Sequence, residues 1–105
     1  MNDIQQIQIH EAKKKLDQKE CIFVDIRDPG SDRAAHIPGA RHLHDGNVLE
    51  FIQNTDKETS VVVYCYHGNS SLGATAYFIE NGFKNVASMS GGFEAWRQLY
   101  EHEPE

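Results

Sequence analysis

The sequence predicts an α/β fold built on a mainly parallel β-sheet. Apolar strand-like runs alternate with helical patterns from end to end, the order that produces such a sheet. The run Val61-Val62-Val63-Tyr64-Cys65 lacks polar alternation, as a central strand covered on both faces should. A length of 105 residues suits one core of ordinary size and leaves no room for a second. The expected organisation is a single domain over residues 1–105.

Taken in order, Ile7 and Ile9 suggest a short first strand, and Ile9, Ala12 and Leu16 share one face of a helix. Cys21-Ile22-Phe23-Val24 is a compact buried run ending at Asp25, punctuated by the turn residues Asp28-Pro29-Gly30. A helical turn over Ser31 to Ala35 is broken by Pro38-Gly39, and Arg41 to His44 reads as another brief strand. Val48 to Gln53 is helical in pattern and precedes the Val61 run. From Ser71 to Asn81, Leu72, Ala76 and Ile79 recur at helical spacing, with Gly82 as a stop. Val86 to Met89 gives a last strand, and Phe93, Trp96 and Tyr100 line one side of a closing helix. The acidic tail Glu101-His102-Glu103-Pro104-Glu105 is expected to fray.

Composition narrows the function. Hydrophobic residues make up 39% and charged residues 25%, an ordinary globular balance. A formal charge of −6 argues against nucleic acid or an anionic membrane as partner, and any anion site must be locally positive. No secretory signal is visible over Met1 to Ile9, and no apolar run approaches the roughly 20 residues that span a bilayer. With Cys21 and Cys65 as the only cysteines, a reducing cytoplasm is the expected compartment.

The chemistry centres on Cys65. Ligands of parallel sheets collect beyond the carboxyl ends of the strands, where Cys65 falls. Tyr66-His67-Gly68-Asn69-Ser70 then leads into a helix beginning near Ser71. A thiol so placed lies over the positive end of a helix and within a curve of backbone N–H groups, and both favour the thiolate. Gly68 and Asn69 tolerate the positive φ such a loop needs, and Ser70 and Ser71 are suited to capping the helix. A free cysteine by itself is as often an inert residue ending a core strand. The loop and helix that follow favour a nucleophile attacking a soft electrophilic sulfur.

Cys65-Tyr66-His67-Gly68-Asn69-Ser70-Ser71 resembles the active-site loop of single-domain rhodaneses. Val24-Asp25-Ile26-Arg27-Asp28-Pro29 with His36-Ile37-Pro38-Gly39-Ala40 resembles the N-terminal signature of that family, and Ser90-Gly91-Gly92-Phe93-Glu94-Ala95-Trp96 the C-terminal one. The resemblance implies a five-stranded parallel sheet flanked by helices. It implies a thiosulfate sulfurtransferase with a Cys65 persulfide intermediate, and Tyr66 to Ser71 as substrate-binding residues. Cyanide in an assay, or a thiol such as reduced thioredoxin, would accept the sulfur, with no metal or organic cofactor. The loop departs from many relatives in having no basic side chain, Tyr66 standing where arginine is common. Anion binding is therefore expected to rest on backbone N–H groups. Asp32 stands where an aromatic is usual and Ala35 where glycine is usual, changes that bear on local packing.

Asp25 and Arg27 either orient the active-site loop or form a structural pair, the second being favoured because charges near a buried edge need partners. Gly91 and Gly92 suit a tight turn, and Trp96 suits the core. His42, His44 and Asp45 invite a metal reading that lacks a recognisable fourth ligand. Cys21 is expected to be buried and inert, since a resolving role needs Cα atoms within about 7 Å of Cys65. Two other functions compete. A Cys-x5-Arg phosphatase needs a bidentate arginine where this chain has Ser71. A non-catalytic sulfur carrier or binding module, loaded by a partner protein, remains compatible with Cys65.

Overall fold

A computed structural model describes residues 4–104. The elements are β1 (Gln5–Ile7), α1 (Ile9–Asp17), β2 (Ile22–Asp25), α2 (Pro29–Ala34), β3 (Arg41–His42), α3 (Val48–Asn54), β4 (Ser60–Tyr64), α4 (Ser70–Glu80), β5 (Asn85–Met89) and α5 (Gly92–Leu99). The five strands form one sheet in the order β1-β5-β4-β2-β3, and every pairing is parallel. The α/β architecture read from the sequence is the one observed.

Strand β4 lies at the centre, and alternate residues serve opposite faces. Val62 and Tyr64 join Phe23, Met89, Phe93 and Trp96 in one core cluster, against α1 and α5. Val61 and Val63 join Val24, Phe51, Phe78 and Val86 in the other, against α3 and α4. Burial on both sides explains why β4 shows no polar alternation. No helix among the described residues is long and apolar enough to cross a membrane.

Several local expectations are corrected. Ile9 opens α1 rather than continuing β1, and β3 stops at His42. Helix α2 starts at Pro29, before the expected Ser31, because Asp28 caps it by accepting from the Ser31 N–H at 3.0 Å and proline fits its first turn. Helix α4 falls where the spacing of Leu72, Ala76 and Ile79 places it; those three are half-buried, and its fully buried residues are Ser71, Thr75 and Phe78. The tail is held rather than frayed. His36 and Glu103 exchange backbone hydrogen bonds of 2.9 Å each, and the Trp96 indole N–H donates to the Glu101 carbonyl at 2.9 Å. Those backbone pairs and the aromatic contact of His102 with Phe93 outweigh the tail's charge. The tail's last residue, Glu105, and the first three of the leader reading lie outside the described residues.

Candidate functional site

Strand β4 ends at Tyr64, so Cys65 is the first residue past the strand. Its carbonyl accepts from the Phe93 N–H at 2.8 Å, and the Tyr66 carbonyl accepts from the Glu94 N–H at 3.0 Å. The first turn of α5 thus takes two loop carbonyls with N–H groups that no helical partner could satisfy. With its carbonyls turned outward, the loop has N–H groups free to face the sulfur.

Cys65 Sγ receives the Gly68 N–H at 3.2 Å and the Ser71 N–H at 3.3 Å, and lies 3.3 Å from Ser71 Oγ. Ser71 occupies the second position of α4, whose N–H an N-cap side chain ordinarily takes. Here the sulfur takes it, and neither serine caps the helix through its side chain, which corrects the capping expectation. The loop needs one left-handed residue, Gly68 at φ +93. Asn69, expected to share that role, is already helical at φ −87 and ψ −53. Burial on its own would raise the Cys65 thiol. The Ser71 hydroxyl and the N–H groups of Ser71, Gly68 and His67 outweigh it and hold the thiol below its ordinary value.

Above the sulfur opens a cavity of about 210 Å³ lined by Ile26, Arg27, Asp28, Cys65, Tyr66, His67, Asn69 and Ser70. Of the residues predicted from sequence, Tyr66, His67, Asn69 and Ser70 stand in the wall, while Gly68 and Ser71 are buried beneath the sulfur. Arg27, from the segment after β2, also lines this wall. Its side chain is buried and paired with Asp25 at 2.6 Å, and its amide N–H also donates to Asp25. Burial opposes the Arg27 charge, and the Asp25 carboxylate more than restores it, keeping the guanidinium protonated beyond its ordinary range. The guanidinium carbon lies 4.2 Å from the Phe93 ring centroid and 5.0 Å from that of Tyr66. Tyr66 in turn donates its hydroxyl to Ser31 Oγ at 2.5 Å. Asp25 and Arg27 are thus a buried pair, as the favoured sequence reading has it, with the guanidinium set over the ring of the loop residue Tyr66.

Gly92 makes the approach of α5 possible. A Cβ there would lie 2.3 Å from the Tyr66 carbonyl oxygen and 2.6 Å from that of Cys65, at a backbone φ of +62. The sequence suggested a tight turn at this glycine but not its contact with the loop. Ser88 was missed altogether. It is fully buried on β5, with its Oγ 2.7 Å from Ser71 Oγ. The one available signal was a serine inside an otherwise apolar strand.

The remaining candidates lie elsewhere. His42 Nε2 is 2.6 Å from the Arg27 carbonyl, and His44 Nδ1 accepts from the Gly46 N–H at 2.9 Å. Each histidine thus already uses one ring nitrogen within the fold. Cys21 is half-buried rather than buried. It precedes Ile22, which pairs with Val61, so five residues of strand rise separate its level from that of Cys65. At about 3.3 Å per residue that is roughly 16 Å, too far for a disulfide.

The sequence profile of the Rhodanese-like domain family matches residues 8–99. The chain belongs to the rhodanese family. It is 44% identical over 103 residues to the thiosulfate sulfurtransferase GlpE of Pseudomonas putida, covering 98% of this chain and 94% of that one. It is 46% identical over 100 residues to the protein of the same name from Pseudomonas paraeruginosa, covering 95% and 91%. Among solved structures, a rhodanese-like domain protein from Staphylococcus aureus superposes with a TM-score of 0.83 at 23% identity, covering 97% of this chain and 99% of that one. That likeness concerns the fold.

Proposed function

We propose that this chain, acting as one rhodanese domain over residues 1–105, is a thiosulfate sulfurtransferase working through a persulfide on Cys65. The observation that carries the reading is the Cys65 sulfur, held by two backbone N–H groups beside a hydroxyl and facing an open cavity. The Cys65 thiolate attacks the outer sulfur of thiosulfate. The sulfur–sulfur bond breaks, and sulfite leaves with the electron pair. An acceptor thiolate then attacks the outer persulfide sulfur, taking it and returning the Cys65 thiolate. Cyanide does the same in an assay and gives thiocyanate. With a dithiol such as reduced thioredoxin, the second thiol displaces the sulfur as hydrogen sulfide and closes a disulfide.

In this cycle Tyr66, His67, Asn69 and Ser70 border the bound donor, while Gly68 and Ser71 stabilise the charged sulfur. Arg27 adds little net charge, because Asp25 largely neutralises it. Donor binding rests mainly on N–H groups, which suits a diffuse sulfur anion better than a phosphoryl group. The cycle needs no metal or organic cofactor. A reducing cytoplasm would keep the thiol free.

The test is a thiosulfate:cyanide assay on wild type and Cys65→Ala, with intact-protein mass spectrometry. Incubation with thiosulfate should add the mass of one sulfur atom, removable by cyanide or dithiothreitol. Cys65→Ala should lose at least about 10³-fold in turnover with its fold intact. Retained turnover would overturn the assignment. Uptake of sulfur from a protein persulfide but not from thiosulfate would make the chain a carrier instead.

A further inference from the structure

Beneath the Cys65 sulfur lies a short chain of buried hydroxyls. Ser71 and Ser88 are both fully buried, their oxygens 2.7 Å apart, and Ser71 Oγ is 3.3 Å from Cys65 Sγ. Ser88 is placed by β5, opposite Val63 of β4, and Ser71 by the first turn of α4. The three groups therefore come from separate elements and meet through the packing of α4 on the sheet. Burial excludes solvent, so each hydroxyl proton must find its acceptor within this chain.

Proton counting fixes the possible arrangements. Ser71 has one hydroxyl proton and two neighbours. If that proton goes to Ser88, the Cys65 sulfur receives no hydroxyl hydrogen bond from Ser71, and its own S–H can donate to Ser71 Oγ. If Ser88 donates to Ser71, the Ser71 proton faces the sulfur, as a thiolate requires, and the donated bond polarises the Ser71 O–H and strengthens its bond to the thiolate. Reversing both hydrogen bonds serves the sulfur in either state, but only the thiolate arrangement places both hydroxyl protons; in the other, the Ser88 proton has no acceptor among the described hydrogen bonds, so the chain favours the thiolate. No atom heavier than hydrogen moves.

We propose that Ser88 is a positioning residue for Cys65: it donates to Ser71 Oγ when the sulfur is a thiolate, and accepts from Ser71 when the sulfur is protonated. Ser88 does not touch the substrate cavity and acts only through Ser71. The inference deepens the sulfurtransferase reading, which supplies the need for a thiolate, but it concerns the resting thiol and is tested without a sulfur donor.

The other groups facing the sulfur stay constant in the test. Arg27 and Asp28 follow β2, and Tyr66 and His67 belong to the loop. On α5, Glu94 donates its backbone N–H to the Tyr66 carbonyl and pairs its carboxylate with Arg97 at 3.0 Å. α4 also contributes the Ser70 hydroxyl, while those of Ser71 on α4 and Ser88 on β5 are the ones varied.

The experiment measures the rate of Cys65 alkylation by iodoacetamide against pH, in a Cys21→Ser background with a single thiol. Ser88→Ala should move the titration midpoint up by about half to one pH unit, so that alkylation below the midpoint slows roughly three- to tenfold. Ser71→Ala should move it further. Ser88→Ala added to Ser71→Ala should then change nothing, because its path to the sulfur is gone. Thr75→Val, which removes a buried hydroxyl with no partner from the same helix face, should leave the midpoint in place. If Ser88→Ala does not fold, Ser88→Thr against Ser88→Val compares matched shapes that differ in the hydroxyl, and only the valine variant should shift. An unmoved midpoint in folded Ser88→Ala overturns the proposal, as does an equal shift in the Ser71→Ala background. Failure of thiosulfate turnover with the midpoint shift intact would instead count against the sulfurtransferase reading.

Discussion

Cys65 and Cys21 stand at opposite edges of the same sheet, one just past the carboxyl end of β4 and the other just before β2. Cys65 is the more buried of the two, yet its thiol is held below its ordinary value. Cys21 is half-buried, and its thiol is pushed up from 9.0 to about 11. Burial drives that rise, Lys15 opposes it and Glu20 adds to it, with no hydrogen-bond donor among the causes. A cavity of about 560 Å³ also touches Cys21, larger than that over Cys65. Neither exposure nor cavity size therefore distinguishes the reactive thiol. What distinguishes it is a set of N–H and O–H groups aimed at the sulfur, supplied where a parallel strand meets the N-terminus of a helix.

The strongest way to break this contrast is Gly92→Ala. The new Cβ would overlap the Tyr66 and Cys65 carbonyls and displace the loop from α5. The expected loss is about 3 kcal/mol or more by chemical denaturation. In the folded fraction, the Cys65 thiol should titrate closer to an ordinary cysteine. Wild-type stability with an unchanged Cys65 titration would show that the close approach does not shape the loop.

A smaller effect compares the two thiols directly. Cys21, with its value near 11, is thiolate to roughly one part in 10⁴ at pH 7, whereas a thiol at 9.0 or below is so to at least about one part in 100. The weaker nucleophilicity of a more acidic thiolate takes back about tenfold. Mass-mapped alkylation at pH 7 should therefore modify Cys65 at least about tenfold faster than Cys21, despite its lower exposure. Equal rates would remove the basis of the contrast.

Cys21→Ser should have the smallest effect, changing stability by less than about 1 kcal/mol near pH 7 and leaving sulfur transfer largely intact. Its signature is in pH dependence. A folded value above the unfolded one means that the thiol's contribution is fully present below about 9.0 and is lost as pH rises to about 11. The variant should flatten the stability curve across that window. Cys65 has the opposite sign, contributing above its ordinary value and losing that contribution as pH falls through its lowered one. Denaturation series on the two single variants separate the signs.

Much of the fold was legible because local rules and tertiary packing agree. The Val61 run reads as a buried strand because both of its faces are covered in fact. The boundaries that failed were decided by partners distant in sequence. The tail looks free until His36 pairs with Glu103. The apolar spacing of Leu72, Ala76 and Ile79 pointed to one face of α4, while the helix buries Ser71, Thr75 and Phe78. Its first turn must meet Cys65 and Ser88, so a polar line faces inward against the hydrophobic pattern. Asp32 shows the same limit. It is buried in α2 with Oδ1 lacking a partner, and its acid is raised by burial and then by Asp25, an environment no local pattern announces.

The sequence by itself determined the parallel α/β architecture, the position of Cys65 at a strand end and the loop-to-helix unit after it. These follow from hydrophobic period and from the glycines and turn residues, which act over a few neighbouring positions. Tertiary structure decided that Arg27 reaches the cavity wall, that α5 orients the loop carbonyls across Gly92, and that Ser88 lies under Ser71. Each depends on groups 17 to 39 positions apart in sequence order meeting in space, and no periodicity in a single segment encodes such a meeting.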